Sequence, residues 1–298
     1  MTGDAPAGTV ALPRVPGLGG LYARGLVASA RRRGGGGWAL PEVTYAVDDV
    51  RADVDHLTAY QHLLGEPATD ALPAGFVHVL AFPVATAVMV RDDFPLPLLG
   101  MVHLANRVEQ RRPLVLGDRL GVRAWARDLR PHRSGTQVDL VTEVAADGDV
   151  AWRGVSTYLA KGVRLPDARD GGGGDGGRPP FTPPVRTGRW ELAADTGRRY
   201  AAVSGDRNPI HLSPLTARAF GFPRAIAHGM FTASRALADV GAARGDAFAW
   251  DVEFAAPVLL PATPDVRVAR DGEGHAFAVW HPRSGKPHLT GTVTPITS

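Results

Sequence analysis

Residues 200–237 read YAAVSGDRNPIHLSPLTARAFGFPRAIAHGMFTASRAL, and the rest of the chain is understood outward from them. Within six positions stand a carboxylate (Asp206), an amide (Asn208) and an imidazole (His211), with Pro209 between the last two. Proline disfavours a helix interior, so Asp206 and His211 are expected on a shaped loop that aims both at one point. A carboxylate and an imidazole converging on one water or one substrate proton form a general acid/base pair. Further on, Ala227-His228-Gly229-Met230 reads as the start of a helix. Its first N–H groups and positive dipole end can face a carbonyl oxygen, and glycine there admits close approach. Each piece also has an ordinary reading. Asp-x-Asn-Pro alone is commonly an Asx-type turn capping a helix, and His211 alone could be a hydrogen-bonded loop histidine.

Taken in order, Tyr200-x-x-Val203-Ser204-Gly205-Asp206-x-Asn208-Pro209-Ile210-His211, followed by Ala217, resembles the signature of the MaoC-like (R)-specific enoyl-thioester hydratases and 3-hydroxyacyl-thioester dehydratases. Ile226-Ala227-His228-Gly229-Met230 is similar to that family's second block. The resemblance implies a hot-dog fold, a curled antiparallel sheet around one long helix. It also implies reversible hydration of trans-2-enoyl thioesters to (R)-3-hydroxyacyl thioesters, carried on CoA or acyl carrier protein. By the same resemblance Asp206, His211, Asn208 and the amide of Gly229 take the catalytic roles. Tyr200, Ser204, His228, Met230 and Ser234 then line the substrate pocket, His228 either touching substrate or packing behind the glycine. No metal or redox cofactor is expected: Asp206, His211 and His228 could ligate an ion, but their spacing matches no familiar ligand motif.

Composition sets the outer bounds. At 298 residues, 44% hydrophobic and 21% charged, the chain has the makings of a globular protein with a core, and two domains are the natural expectation. The net charge of +3, with a local cluster at Arg31-Arg32-Arg33, suits a solvated basic surface or a mild attraction for phosphate-bearing ligands such as CoA. No aromatic-interleaved basic stripe suggests nucleic-acid binding. With no cysteine, disulfides, thiolate catalysis and cysteine-ligated zinc are excluded. The first twenty residues lack a basic region followed by an apolar core, and no apolar run is long enough to span a membrane, so a cytoplasmic location is expected.

Four segments are expected along the chain. Residues 1–40 form a Gly/Pro/Ala-rich extension, with a short helix over 21–33 broken by the glycines at 34–37. Residues 41–164 hold a strand (42–47), a short helix (54–64), an apolar helix (76–90) with Pro83 in or near its first turn, and strands at 101–110, 118–128, 136–146 and 150–162. Residues 165–188 are a Gly/Pro-rich linker. Residues 189–298 carry the motif and then strands at 250–257, 265–270, 275–281 and 286–293.

The second half repeats the first. Tyr60, Gly65 and Glu66 align with Tyr200, Gly205 and Asp206, and Asp55 with Asp195. Pro113 to Asp128 parallels Pro257 to Asp271, and Phe82-Pro83 falls opposite Gly229-Met230. The α+β class therefore sharpens to a double hot-dog, two tandem copies forming one continuous sheet. In the first copy the position of His211 falls near Ala71 and that of Gly229 at Phe82, so one active site is expected, in the second copy. His78, His103 and His132 are read as surface or packing histidines. The double fold is compatible with a monomer or with a homodimer of double hot-dogs. Two other functions compete: a non-catalytic acyl-thioester-binding or partner subunit, and a hot-dog thioesterase.

Overall fold

The structure, a computed structural model, describes residues 5–31, 37–98, 100–166 and 180–296. The arginine and glycine runs at 32–36 and most of the expected linker, including its glycines at 171–174, lie outside the described residues. In chain order the elements are β1 (Gly8–Ala11), α1 (Leu18–Arg31), β2 (Val43–Val50), α2 (Val54–Leu64), α3 (Ala74–Met89), β3 (Met101–Gln110), β4 (Leu120–His132), β5 (Gly135–Ala146), β6 (Asp149–Lys161), β7 (Gly188–Arg189), α4 (Thr196–Ser204), α5 (Pro209–Leu212), α6 (Pro214–Ala219), α7 (Gly229–Val240), β8 (Phe248–Phe254), β9 (Asp265–Asp271), β10 (Gly274–Trp280) and β11 (Pro287–Pro295).

Two compact units contain them. The first comprises Met1–Arg51, Leu80–Leu104 and Arg119–Pro179; the second comprises Ala52–Val79, Ala105–Asp118 and Pro180–Ser298. In the first, strands run in the order β1-β2-β4-β5-β6, all antiparallel except the β1–β2 pair. The β5–β6 hairpin turns at Asp147-Gly148, both at positive φ (56° and 89°), as a two-residue turn matched to strand twist demands. Alternate residues of these strands point inward, and Trp125, Leu140 and Trp152 are buried there. In the second unit the order is β3-β8-β11-β10-β9-β7, antiparallel where pairing is described, with α7 lying on β9, β10 and β11. Gly188, placed in the linker by composition, instead begins β7, which Arg189 fastens to β9 through Asp265 at 2.7 Å. The architecture is the α+β double hot-dog that the repeat predicts.

Main-chain hydrogen bonds recur in the two copies, and at the central helices they shift the match from the expected register. Both α2 and α4 end at a left-handed glycine, Gly65 (φ 74°) and Gly205 (φ 71°), whose N–H returns to the carbonyl four residues back. Leu72 N–H donates to the Leu114 carbonyl as Ala227 N–H donates to that of Val258, and each is followed two residues later by the first residue of a helix. Ala74 is therefore the counterpart of Gly229, and Phe82 is not. The glycine register keeps Asp55 opposite Asp195; α2 starts two positions earlier than α4, so its N-cap is Asp53 and Asp55 sits inside its first turn. Pro83 lies in the middle of α3. The helix begins earlier than its apolar run because Ala74 and Gly75 carry no pattern of their own. Ala71 bridges Val115 as Ile226 bridges Leu259, so it is the counterpart of Ile226. Six positions separate Gly65 from Ala71, and 21 separate Gly205 from Ile226. The segment bearing Asn208 and His211 has no equivalent in the first half.

Candidate active site

Every residue of the site belongs to the second unit. Gly205 turns the chain out of α4, and three short-range bonds then fix the turn that follows. Asp206 N–H donates to Ser204 Oγ at 3.2 Å, Asn208 N–H donates to Asp206 Oδ1 at 3.1 Å, and Ile210 N–H donates to Asn208 Oδ1 at 3.4 Å. Asp206 thus closes an Asx turn and Asn208 caps α5. Pro209 was expected to keep this stretch out of a helix, but it occupies the first helical position of α5, where its missing N–H costs nothing. Asp206 sits on the loop and His211 on the single turn after it. Ser213 caps α6, and Thr216 Oγ1 donates back to the Pro209 carbonyl at 2.6 Å, so the two short helices brace one another.

His211 is buried, and its Nδ1 lies 2.8 Å from the Ile226 carbonyl oxygen. A carbonyl only accepts, so Nδ1 carries the proton and Nε2 keeps its lone pair. His228 Nε2 donates likewise to the Asp206 main-chain carbonyl at 2.9 Å, which leaves its Nδ1 buried and unpartnered among the described residues. The two imidazoles stack, ring centres 3.6 Å apart and 24° from parallel, and His228 Nε2 is 3.8 Å from Asp206 Oδ2. Burial, and then the neighbouring His228, push the His211 pKa down to about 3, while Asp206 pulls the other way. His228 is lowered too, by burial. Both rings are neutral near pH 7, and His211 is a base with an available lone pair rather than a cation.

Gly229 opens α7 with His228 as its N-cap residue, so the first N–H groups of α7 lack intrahelical acceptors beside the stacked pair. A Cβ at Gly229 would meet the Phe254 ring at 3.1 Å, so packing as well as access asks for glycine here. Tyr200 is buried, its ring 5.0 Å from His228 and 5.7 Å from Phe231. Ser204 holds the Asp206 turn, as above. Met230 and Ser234 are buried along α7. Ser234 meets Tyr60 of α2 at the crossing with α3, where a Cβ on Gly75 would stand 2.2 Å from Ser234 Oγ and 2.3 Å from Tyr60 Oη.

Three residues matter that the motif does not contain. Gly197 in α4 faces the segment carrying His211: a Cβ there would lie 2.1 Å from the His211 carbonyl oxygen. His78 in α3 is buried, with its pKa pushed down to about 4, and Asp206 is near enough for its charge to oppose that shift. Glu66, which aligns with Asp206 in the repeat, is buried in an ion pair with Arg244 at 3.0 Å. No local signal announces these roles, because each partner lies far away in sequence. His103 stacks on Tyr158 at 4.5 Å, and His132 Nδ1 accepts from the Ser134 N–H in a turn, so both do packing or turn work.

Asp206, His211 and His228 each offer a ligand atom within 4.8 Å of the others, the donor set of a possible cation site. Two of the four ring nitrogens, however, are already bonded to main-chain carbonyls. Among the described residues no helix is long and apolar enough to cross a membrane.

A model of the MaoC like domain matches residues 177–291. The 3-hydroxyacyl-thioester dehydratase X of Mycobacterium tuberculosis is 39% identical over 260 residues, 85% of this chain and 90% of that protein. The crystal structure of HtdX from the same organism superposes with a TM-score of 0.75 at 37% identity, over 85% of this chain and 100% of that one. A MaoC-like dehydratase from Phytophthora capsici, 20% identical, shares the fold with a TM-score of 0.65 over 86% of this chain and 95% of its own.

Proposed function

The chain belongs to the MaoC-like dehydratases, and from that premise we propose that it interconverts trans-2-enoyl and (R)-3-hydroxyacyl thioesters with Asp206 and His211 as the proton-transfer pair. The observation that carries this reading is the convergence, at the start of α7, of the neutral, oriented His211 imidazole and the Asp206 carboxylate, whose polar atoms approach within 4.8 Å. In the hydration direction Asp206 holds the water and His211 Nε2 takes one of its protons. The water oxygen bonds to C3, and the C2–C3 π electrons move toward the thioester carbonyl. The resulting enolate oxygen faces the Gly229 N–H and the positive end of α7. The pair then returns the proton to C2, so that one water is added overall, and dehydration runs the same steps backward. Asn208 has its Oδ1 on the cap of α5, and its Nδ2 hydrogens remain to orient the water.

His228 serves as a positioning residue: it ties the Asp206 main chain to α7 and stacks His211 in place. Tyr200, Ser204, Met230 and Ser234 shape the pocket around the acyl group. The chemistry as written uses no metal or redox group, and turnover is expected to survive exhaustive chelation. The substrate is an acyl thioester of CoA or acyl carrier protein, and the protein acts as a monomer or as a homodimer of double hot-dogs. Asp206→Asn and His211→Ala are each expected to cut kcat by about 10²–10⁴, the usual worth of a positioned acid or base, with the thermal midpoint retained. Wild-type turnover in either variant would remove the pair from the mechanism.

A further inference from the structure

The turn that carries Asp206 leaves the last residues of α4, and that end of the helix is held by a side chain from far back in the chain. The last carbonyls of a helix have no intrahelical donor and need another partner. Gly205 N–H returns to the Ala201 carbonyl, Asp206 N–H donates to Ser204 Oγ, and Asn208 N–H donates to Asp206 Oδ1. With these nearby donors engaged, the Val203 carbonyl takes its hydrogen bond from His56 Nε2 of α2. A carbonyl only accepts, so Nε2 carries the proton. An imidazole N–H at a helix C-terminus also suits the negative end of the helix dipole. His56, Val203 and Asp206 all lie in the second unit.

His56 is itself firmly placed. Its main-chain N–H donates to Oδ1 of Asp53, the N-cap of α2, at 2.9 Å. Its half-buried ring meets the Phe76 ring of α3 edge-on, with centres 4.9 Å apart and 72° between the planes. Phe76 is fully buried and packs in turn on Tyr60 at 5.3 Å. The donor therefore comes from a packed surface of α2 and α3. At its other end α4 touches the segment bearing His211, where Gly197 leaves no room for a Cβ beside the His211 carbonyl. A slide or tilt of α4 thus moves Asp206 through one end and His211 through the other. Displacing reacting groups by about 1 Å is enough to cost a large part of a catalysed rate. In the register that sets Gly65 opposite Gly205, His56 matches Thr196, so the first copy supplies an imidazole that the second lacks.

We propose that His56 is a positioning residue for the proton-transfer pair: its hydrogen bond to the Val203 carbonyl fixes the end of α4, and with it the turn that carries Asp206. Its effect on rate rests on the thioester reaction proposed above, whereas the tie itself is measured without substrate.

The test uses the full chain with two substitutions made separately. His56→Phe keeps a ring against Phe76 and removes the donor, and His56→Gln restores a side-chain N–H close to the place of Nε2. His56→Ala, which only removes atoms, replaces the phenylalanine variant if that one does not fold. With a trans-2-enoyl-CoA, His56→Phe should lower kcat about tenfold or more while KM changes by less than about threefold, and His56→Gln should recover most of the rate. Hydrogen exchange read by mass spectrometry should quicken over residues 203–208 in His56→Phe, stay near wild type there in His56→Gln, and leave β5 unchanged in both. Unchanged kcat in folded His56→Phe, a loss seen in KM instead of kcat, or an equal loss in both variants would overturn the positioning role. Wild-type exchange over 203–208 in His56→Phe would overturn the tie itself. Quickened exchange in that variant, together with no turnover by the wild type, would support the tie and sink the thioester reaction.

Discussion

The residue that defines the site is His211, and its state is set by one hydrogen bond and by burial. With Nδ1 donating to Ile226 and the pKa pushed down to about 3 from an ordinary 6.5, the ring stays neutral well into the acid range. If it is the base, kcat/KM should show no acid limb near pH 6.5, and a limb there would contradict the assignment. Stability should respond to acid for the same reason. His78, His211 and His228 all have folded pKa values below that of a free imidazole. The unfolded chain therefore binds the extra protons. Their contribution is full above pH 6.5 and is lost as pH falls through the window toward about 4 for His78 and about 3 for His211. Each histidine contributes a slope of up to about 1.4 kcal/mol per pH unit in that window. Replacing His78 by Gln should flatten the fall measured by urea unfolding between pH 6.5 and 4, and an unchanged slope would mean that His78 is not held neutral. The closeness of Asp206 and His211 was legible in sequence because the motif is contiguous. His78 was not, since its approach to Asp206 spans 128 positions of chain.

Among elements, α4 and α5 decide where His211 stands. Gly197→Ala would place a methyl 2.1 Å from the His211 carbonyl, so the α5 turn must move. The expected result is a loss of about 1–3 kcal/mol from overpacking together with a fall in kcat. Lost stability with intact kcat would show that the turn shifts without moving the ring. The Glu66–Arg244 pair belongs to the same scale. Glu66→Ala strands a guanidinium in a largely buried setting and is expected to cost about 3–5 kcal/mol in chemical denaturation. A change near zero would make the pair incidental. The sequence placed most strands to within a few residues because their alternation is clear, as in β3 and β9. It misplaced the register of α3 against α7. A helix apolar on every side offers no stripe to align, and only the bonds from Leu72 and Ala227 reveal that Ala74, not Phe82, opposes Gly229.

For the whole molecule, the repeat and the family were visible together, and the two compact units interleave the halves of the sequence. Residues 52–79 and 105–118 come from the first half and pack in the unit that carries the motif. A reading along the chain assigns residues to domains by proximity in sequence; long-range strand pairing, such as β3 with β8 from Ala105 onward, does not respect that order. The first half is therefore more than a decayed copy: through Tyr60, Glu66, Gly75 and His78 it supplies packing and charge within the second unit. The proposed reaction of this unit is hydration of an enoyl thioester by Asp206 and His211. Its most direct test follows the loss of enoyl-thioester absorbance with a panel of trans-2-enoyl-CoA esters, with chiral analysis of the product and Asp206→Asn as control. An (R)-3-hydroxyacyl product is expected from the wild type and almost none from the folded variant. Formation of the (S) product, or equal turnover by the variant, would contradict it.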